Sequence, residues 1–304
     1  MPAFVYSPLY EADIGTHVFP VQKYRRTREM LLASGRVRPE AFLPPRPHGR
    51  EALRLVHTAG YLDDFFHLRA TPATVGSELP LDEPIATWFA TAADGTLTAA
   101  AGAAGRGAAL HIGGGFHHAY ADHAEGFCYL NDVAVAARYA LEAGWAASVT
   151  VVDLDVHQGN GTARIFRDDD RVFTFSMHQQ NNYPGFKETS DLDIGLPDGI
   201  EDGAYLERLD GGLAESVGAR RPNLVFYVAG ADPFREDQLG GLALTMEGLA
   251  ERDRRVYAAC KSAGAAVATC LAGGYAMDPD DTARIHVNTA VAMLEAFPEP
   301  GAGE

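Results

Sequence analysis

The stretch SVTVVDLDVHQGNG, Ser148 to Gly161, decides how the chain folds. Its first half is β-branched, with no alternation of apolar and polar positions, as in a strand buried on both faces within a helix-covered parallel sheet. Its second half turns abruptly polar, with Asp153, Asp155, His157 and Asn160 in close succession. Open parallel sheets bind ligands beyond the carboxyl ends of their strands, so this switch marks a site as well as a strand end. The same pattern recurs at residues 4–6, 108–112, 172–176, 224–228 and 265–271. Residues 131–144, which end on Gly144, and 242–262 have helical composition. Alternating strands and helices predict an α/β fold with a central, mostly parallel sheet, helices on both faces and the active site at the C-terminal strand ends.

Outward from that core, the 304 residues contain 47% hydrophobic and 22% charged side chains, ordinary globular usage that excludes intrinsic disorder. Residues 44–47 and 70–84 are expected as surface connections and 298–304 as a frayed tail, leaving one catalytic domain over 1–297. The Ala/Gly-rich piece 99–109 leads into a strand and is expected to pack tightly on the sheet. No apolar run is long enough to span a membrane, and MPAFVYSP lacks the features of a signal peptide, so a soluble cytoplasmic protein is expected. Cys128, Cys260 and Cys270 are too scattered for a disulfide framework and are expected as reduced core thiols. The net charge of -16 argues against direct nucleic-acid binding. It suits cationic partners such as lysine-rich peptides or polyamines, although acidity also serves solubility alone.

Four predicted strand ends carry polar clusters: Gly113 to His118, Asp153 to His157, Asp232 after Val228, and Gly273-Gly274-Tyr275 after Leu271. Asp153, Asp155 and His157 are spaced by two, so on extended backbone they face one way. Two carboxylates on one side repel unless a cation lies between them. No Lys or Arg falls between residues 139 and 163, so a metal ion is the natural candidate. Asp155, His157 and Asp232 would give three ligands and leave a fourth position for water, as in catalytic zinc. Helix caps and turns are the competing account of these aspartates. Glycines before His117-His118 permit close approach to a ligand, and paired imidazoles suit proton transfer; two surface-loop histidines are the alternative. Tyr275 is either core packing or a phenol that donates to a developing oxyanion.

With GGGFHHA from Gly113, GFCYLND from Gly126, DLDVHQGNG from Asp153, GADPFREDQLGG from Gly230 and GGY from Gly273, the chain resembles the zinc-dependent histone deacetylase and acetylpolyamine amidohydrolase superfamily. Weaker agreement in YSPLY with His17 and Pro20, VHTAGYL from Val56 and FSMH from Phe175 extends it over nearly the whole chain. The resemblance implies the arginase/deacetylase fold, zinc (with iron(II) as the alternative in cells) on Asp155, His157 and Asp232, and His118 as the proton-transfer residue beside His117. It implies Tyr275 as the oxyanion donor, Asp153 as orienter of His117, and structural potassium near Asp153, Asp155, His157, Ser176 and Met177. Gly126, Phe127, Tyr183, Leu239, Gly273 and Gly274 fall at positions of the acyl tunnel. Asn160 stands where most relatives carry a second aspartate; an amide still orients an imidazole but stabilises its cation less. The DLDVHQGNG and QLGG pieces are most similar to the class IV branch, associated with longer acyl chains. The implied activity is deacylation of lysine in proteins or peptides. Acetylpolyamine hydrolysis, with Asp191, Asp193, Glu236 or Asp237 holding a distal ammonium, is the second reading. A silent metal-binding scaffold and a two-manganese arginase-like hydrolase are remoter ones. Acyl length, native substrate and oligomeric state stay open.

Overall fold

The computed structural model describes residues 2–298. The rest of the expected frayed tail, 299–304, lies outside the described residues. Eight strands form one sheet: β1 (Ala3–Val5), β2 (Phe42–Leu43), β3 (Ala108–His111), β4 (Val149–Asp153), β5 (Val172–Gln179), β6 (Leu192–Leu196), β7 (Leu224–Val228) and β8 (Ala266–Cys270). Their order is β2-β1-β3-β8-β7-β4-β5-β6, and every pair is parallel. The central strands are buried along their length, as their unbroken apolar runs predict. The two strands that sequence pattern misses are both edges: β2 has only two residues, and β6 reads LDIGL with one face half-exposed. Edge strands need not be apolar on both faces.

Nine α-helices flank the sheet among the described residues: α1 (Lys23–Ala33), α2 (Gly49–Leu53), α3 (Ala59–Phe66), α4 (Glu83–Arg106), α5 (Asp132–Glu142), α6 (Asn160–Phe166), α7 (Asp202–Leu213), α8 (Met246–Ala263) and α9 (Pro279–Ala296). The long α4 packs on α5, β3 and β8, and α8 packs on α7 and α9. Of the expected Ala/Gly-rich packing segment 99–109, residues up to Arg106 form the last turns of α4, whose small side chains let it lie close on the sheet, and Ala108 and Ala109 begin β3. Pro84 opens this helix rather than closing a connection, with the Asp82 side chain capping it by accepting from the Ile85 amide at 2.9 Å. Helix α8 starts four residues later than its composition suggests, because Thr245 caps it while Ala243 and Leu244 bond to Ile200 and Pro233. All three cysteines are buried and free.

Register decides where the site forms. His111 pairs with Cys270, Cys270 with Val228, Val228 with Asp153, and Asp153 with Ser176. These residues make one row across the sheet, so the loops that follow emerge side by side at one edge.

Candidate active site

The loop after β3 is held from α5. Asn131 caps that helix by accepting from the Ala134 amide, and its Nδ2 donates to the carbonyls of His117 and Ala119. Asp132 accepts from the amides of Gly115 and Phe116 at 3.0 and 2.7 Å. Gly114 and Gly115 sit at φ +69° and +81°, which lets the chain turn and deliver His117 and His118 to the pocket floor. Their ring centroids lie 4.1 Å apart.

Each imidazole has a different partner. His117 Nδ1 lies 2.6 Å from Asp153 Oδ2, and His118 Nδ1 lies 2.7 Å from Asn160 Oδ1. Burial opposes charge on His117, but Asp153 and Asp155 outweigh it and bring its pKa up to about 9. Burial, then the His117 and His157 charges, push His118 well below its usual value. The two imidazoles are thus pushed in opposite directions, His117 toward its charged form and His118 toward its neutral one, a separation typical of acid–base sites.

Asp155, His157 and Asp232 bring ligand atoms within 4.8 Å of one another. Asp155 Oδ2 accepts from the Gly273 amide and Asp232 Oδ1 from the Val156 amide, both at 2.9 Å. Asp232 Oδ2, fully buried, makes no hydrogen bond among the described residues, and its near polar neighbour is the His157 imidazole of the same cluster, at 3.3 Å. Burial and Asp155 together raise the Asp232 carboxyl to about 7. A Cβ on Gly273 would fall 2.1 Å from Asp232 Oδ2 and 2.5 Å from Asp155 Oδ2, so a bare backbone is required beside these oxygens. An orphaned buried carboxylate oxygen, a second carboxylate and an imidazole suit a divalent cation such as zinc.

A second trio, His111, Asp132 and Cys270, also brings ligand-type atoms together. The Thr96 hydroxyl stands among them, 2.9 Å from His111 Nδ1, and donates to Asp132. With Tyr10 Oη 2.7 Å from His111 Nε2, this is a hydrogen-bonded core network.

Above the trio, an outer pocket of about 190 Å³ is lined by Gly126, Phe127, Tyr183, Leu239 and Tyr275, with Glu78 at its wall. Beneath it an inner pocket of about 20 Å³ is bounded by His117, His118, Cys128, Ala272, Gly273 and Tyr275. A side chain at Gly274 would meet Thr282 and Ala231, so close packing requires a bare backbone there. Three of the four expected mouth carboxylates are engaged elsewhere, while Glu236 stays exposed beside Arg235. Asp191 holds Thr174, Asp193 accepts from Gln158, and Asp237 accepts from the Tyr275, Leu239 and Gly240 amides. Ser176 bonds His178 at 2.9 Å, beside Met177 on β5.

Sequence reasoning misses Glu78, Glu125 and Lys23. Lys23 is wholly buried; its Nζ donates to Ala272 O at 2.7 Å and lies 4.6 Å from the Phe19 ring centroid. Burial pulls its pKa down to about 8 against the opposing pull of Asp232, Asp155 and Asp237. Nothing in QKYRR distinguishes this lysine from the partly exposed Arg25 and Arg26.

A parallel α/β sheet that gathers two carboxylates, three imidazoles and a phenol at its C-terminal edge, with a candidate metal-binding cluster among them, has the make-up of a hydrolase site. Residues 17–291 match the histone deacetylase domain, and the chain belongs to that family. It is 42% identical over 284 residues to an uncharacterized protein of Picosynechococcus sp., covering 93% of this chain and 95% of that one. It is 29% identical to histone deacetylase 2 of Arabidopsis thaliana (90% of this chain, 74% of the relative) and 31% identical to the acetoin utilization protein AcuC of Bacillus subtilis (80% and 69%). The crystal structure of the HDA15 HD domain superposes with a TM-score of 0.79 at 25% identity, covering 97% of this chain and 92% of that one. The chain is a hydrolase acting on amides, with the deacetylase activity of its family, which is generally metal-dependent. No described helix is long and apolar enough to cross a membrane.

Proposed function

We propose that this protein, as one catalytic domain over residues 1–297, removes short acyl groups from the ε-amine of lysine in proteins or peptides, with zinc held by Asp155, His157 and Asp232. The observation that carries this reading is the orphaned, buried Asp232 Oδ2 within a three-ligand cluster at the pocket floor, flanked by His118 and Tyr275. A bound divalent cation supplies polarisation of the amide carbonyl and acidification of water. His118, neutral and held through Nδ1, accepts the proton of the attacking water on Nε2. The Tyr275 hydroxyl donates to the oxygen that gains charge as water adds to the carbonyl. His118 then returns the proton to the departing nitrogen, giving carboxylate and free amine. His117, charged against Asp153, keeps its neighbour's basicity low. Potassium near Asp153, Asp155, His157, Ser176 and Met177 remains part of the reading, supported by the register of Asp153 against Ser176.

The inner pocket supports acetyl over long acyl groups, because about 20 Å³ is roughly the room of one water or methyl. This departs from the longer chains that likeness to the class IV branch suggests. A second reading, hydrolysis of acetylated polyamines, is favoured by Glu78, an exposed carboxylate at the outer pocket that suits a distal ammonium. Assaying metal-defined protein on acetyl-lysine peptide, myristoyl-lysine peptide and N-acetylputrescine separates them. Turnover of the first above the others supports the main reading, and turnover of the diamine alone replaces it.

A further inference from the structure

Asn160 is not the last group behind His118. Its Oδ1 lies 2.7 Å from His118 Nδ1, and its Nδ2 donates to Glu125 Oε1 at 2.7 Å. The same carboxylate oxygen accepts from the Tyr183 hydroxyl at 3.0 Å, while His123 Nε2 stands 3.6 Å from Glu125 Oε2. Tyr120 Oη is the remaining partner of Asn160 Nδ2, at 3.2 Å. The Glu125 side chain is about one-quarter exposed, at 26%.

An amide can face a neighbour with either end, whereas an ionised carboxylate only accepts. Were the Asn160 amide reversed, its oxygen would confront the Glu125 carboxylate, acceptor against acceptor, and its NH2 would confront His118 Nδ1. Glu125 excludes that orientation. The remaining one presents Asn160 Oδ1 to His118, which obliges the imidazole to carry its proton on Nδ1 and leaves Nε2 free toward the pocket. Asp153 accepts from His117 Nδ1 directly, with no amide between them. Burial favours the neutral form of Glu125, but His123, Asn160 and Tyr183 outweigh it and leave its carboxyl below the usual value.

We propose that Glu125 is a positioning residue for the deacylation reaction, locking the tautomer of His118 through Asn160 and supplying, one group further out, the negative charge that position 160 lacks. The proposal rests on His118 serving as the base of the deacylase reading. Its chemical content is an orientation lock, so it also has a consequence independent of turnover.

The test is a cycle of Glu125→Gln, Asn160→Asp and the double variant. In Glu125→Gln the new amide still accepts from Asn160 and Tyr183 but has lost the charge and can also donate, so the lock is released. Its kcat should fall about tenfold with KM and metal content unchanged, as for other groups that support a site residue from behind. Asn160→Asp alone sets two carboxylates against each other and should also lose activity. The double variant restores one charge and one donor, and should return to within about threefold of wild type, a strongly non-additive pair. Imidazole ¹⁵N spectra of His118 should show the Nδ1–H tautomer in wild type and a mixture in Glu125→Gln. Wild-type kcat in Glu125→Gln, a loss confined to KM, or strictly additive losses in the double variant would each overturn the proposal. Should wild type hydrolyse no acyl-lysine peptide, the deacylase reading fails, while an unchanged His118 spectrum in Glu125→Gln overturns the lock itself.

Discussion

The backbone amide of Tyr275 donates to Asp237 Oδ2 at 2.6 Å, so a carboxylate 38 residues earlier in the chain sets the position of the phenol. Its other oxygen accepts from the Leu239 and Gly240 amides, which ties the tunnel rim to the same anchor. Replacing Asp237 by Ala leaves three backbone donors without their acceptor. We expect kcat to fall by about tenfold or more through misplacement of Tyr275, with metal content retained. Steady-state kinetics beside elemental analysis check this; unchanged kcat would separate the anchor from catalysis.

Tyr275→Phe removes only the hydroxyl. Donors aimed at a developing oxyanion contribute about 10²-fold or more to kcat, and the variant should lose that much while keeping its metal and its fold. The ring itself packs against Phe19 and Phe127, at centroid distances of 5.9 and 6.2 Å, so Phe fills the same space. A variant that turns over at the wild-type rate removes Tyr275 from the chemistry.

Asp232→Asn keeps the shape and the Val156 bond but removes one anionic ligand. Purified variant should carry far less zinc than wild type, with activity lost in proportion. Full metal occupancy by elemental analysis would show that this carboxylate is not a ligand. The metal-free wild type should regain activity on addition of zinc, which also excludes a silent scaffold.

His57 links acid stability to the site. Buried beside Tyr61 of α3, it accepts from the Asn131 amide at Nε2, at 3.1 Å, and burial lowers its pKa to about 4. The unfolded chain takes up this proton near pH 6.5, whereas the folded chain resists it until about 4. The stabilisation is therefore full above pH 6.5 and is lost as pH falls toward 4, up to about 3 kcal/mol by linkage. Urea midpoints should drop over that window, and His57→Gln should flatten the slope. An unchanged slope would mean that other groups carry the acid sensitivity.

Periodicity and spacing make much of this protein legible in its sequence. The unbroken apolar runs located six central strands, since strands buried on both faces leave no other pattern. The polar residues that follow them, Asp153, Asp155, His157, Asp232, the histidine pair and Tyr275, meet at one edge of the sheet because parallel register aligns the strand ends. Edge strands β2 and β6 were not legible, as half-exposed residues carry no distinctive signal.

What the chain alone determined is which residue types stand at the ends of which strands, a local property of composition and order. Tertiary structure alone decided what stands behind them: Asp237 under Tyr275, Glu125 behind Asn160, Lys23 against Ala272. Those pairings join residues 35 to 249 positions apart. Their donors and acceptors meet only because parallel register aligns the strand ends and the helices bring distant loops into hydrogen-bonding distance, and no local pattern records such distances.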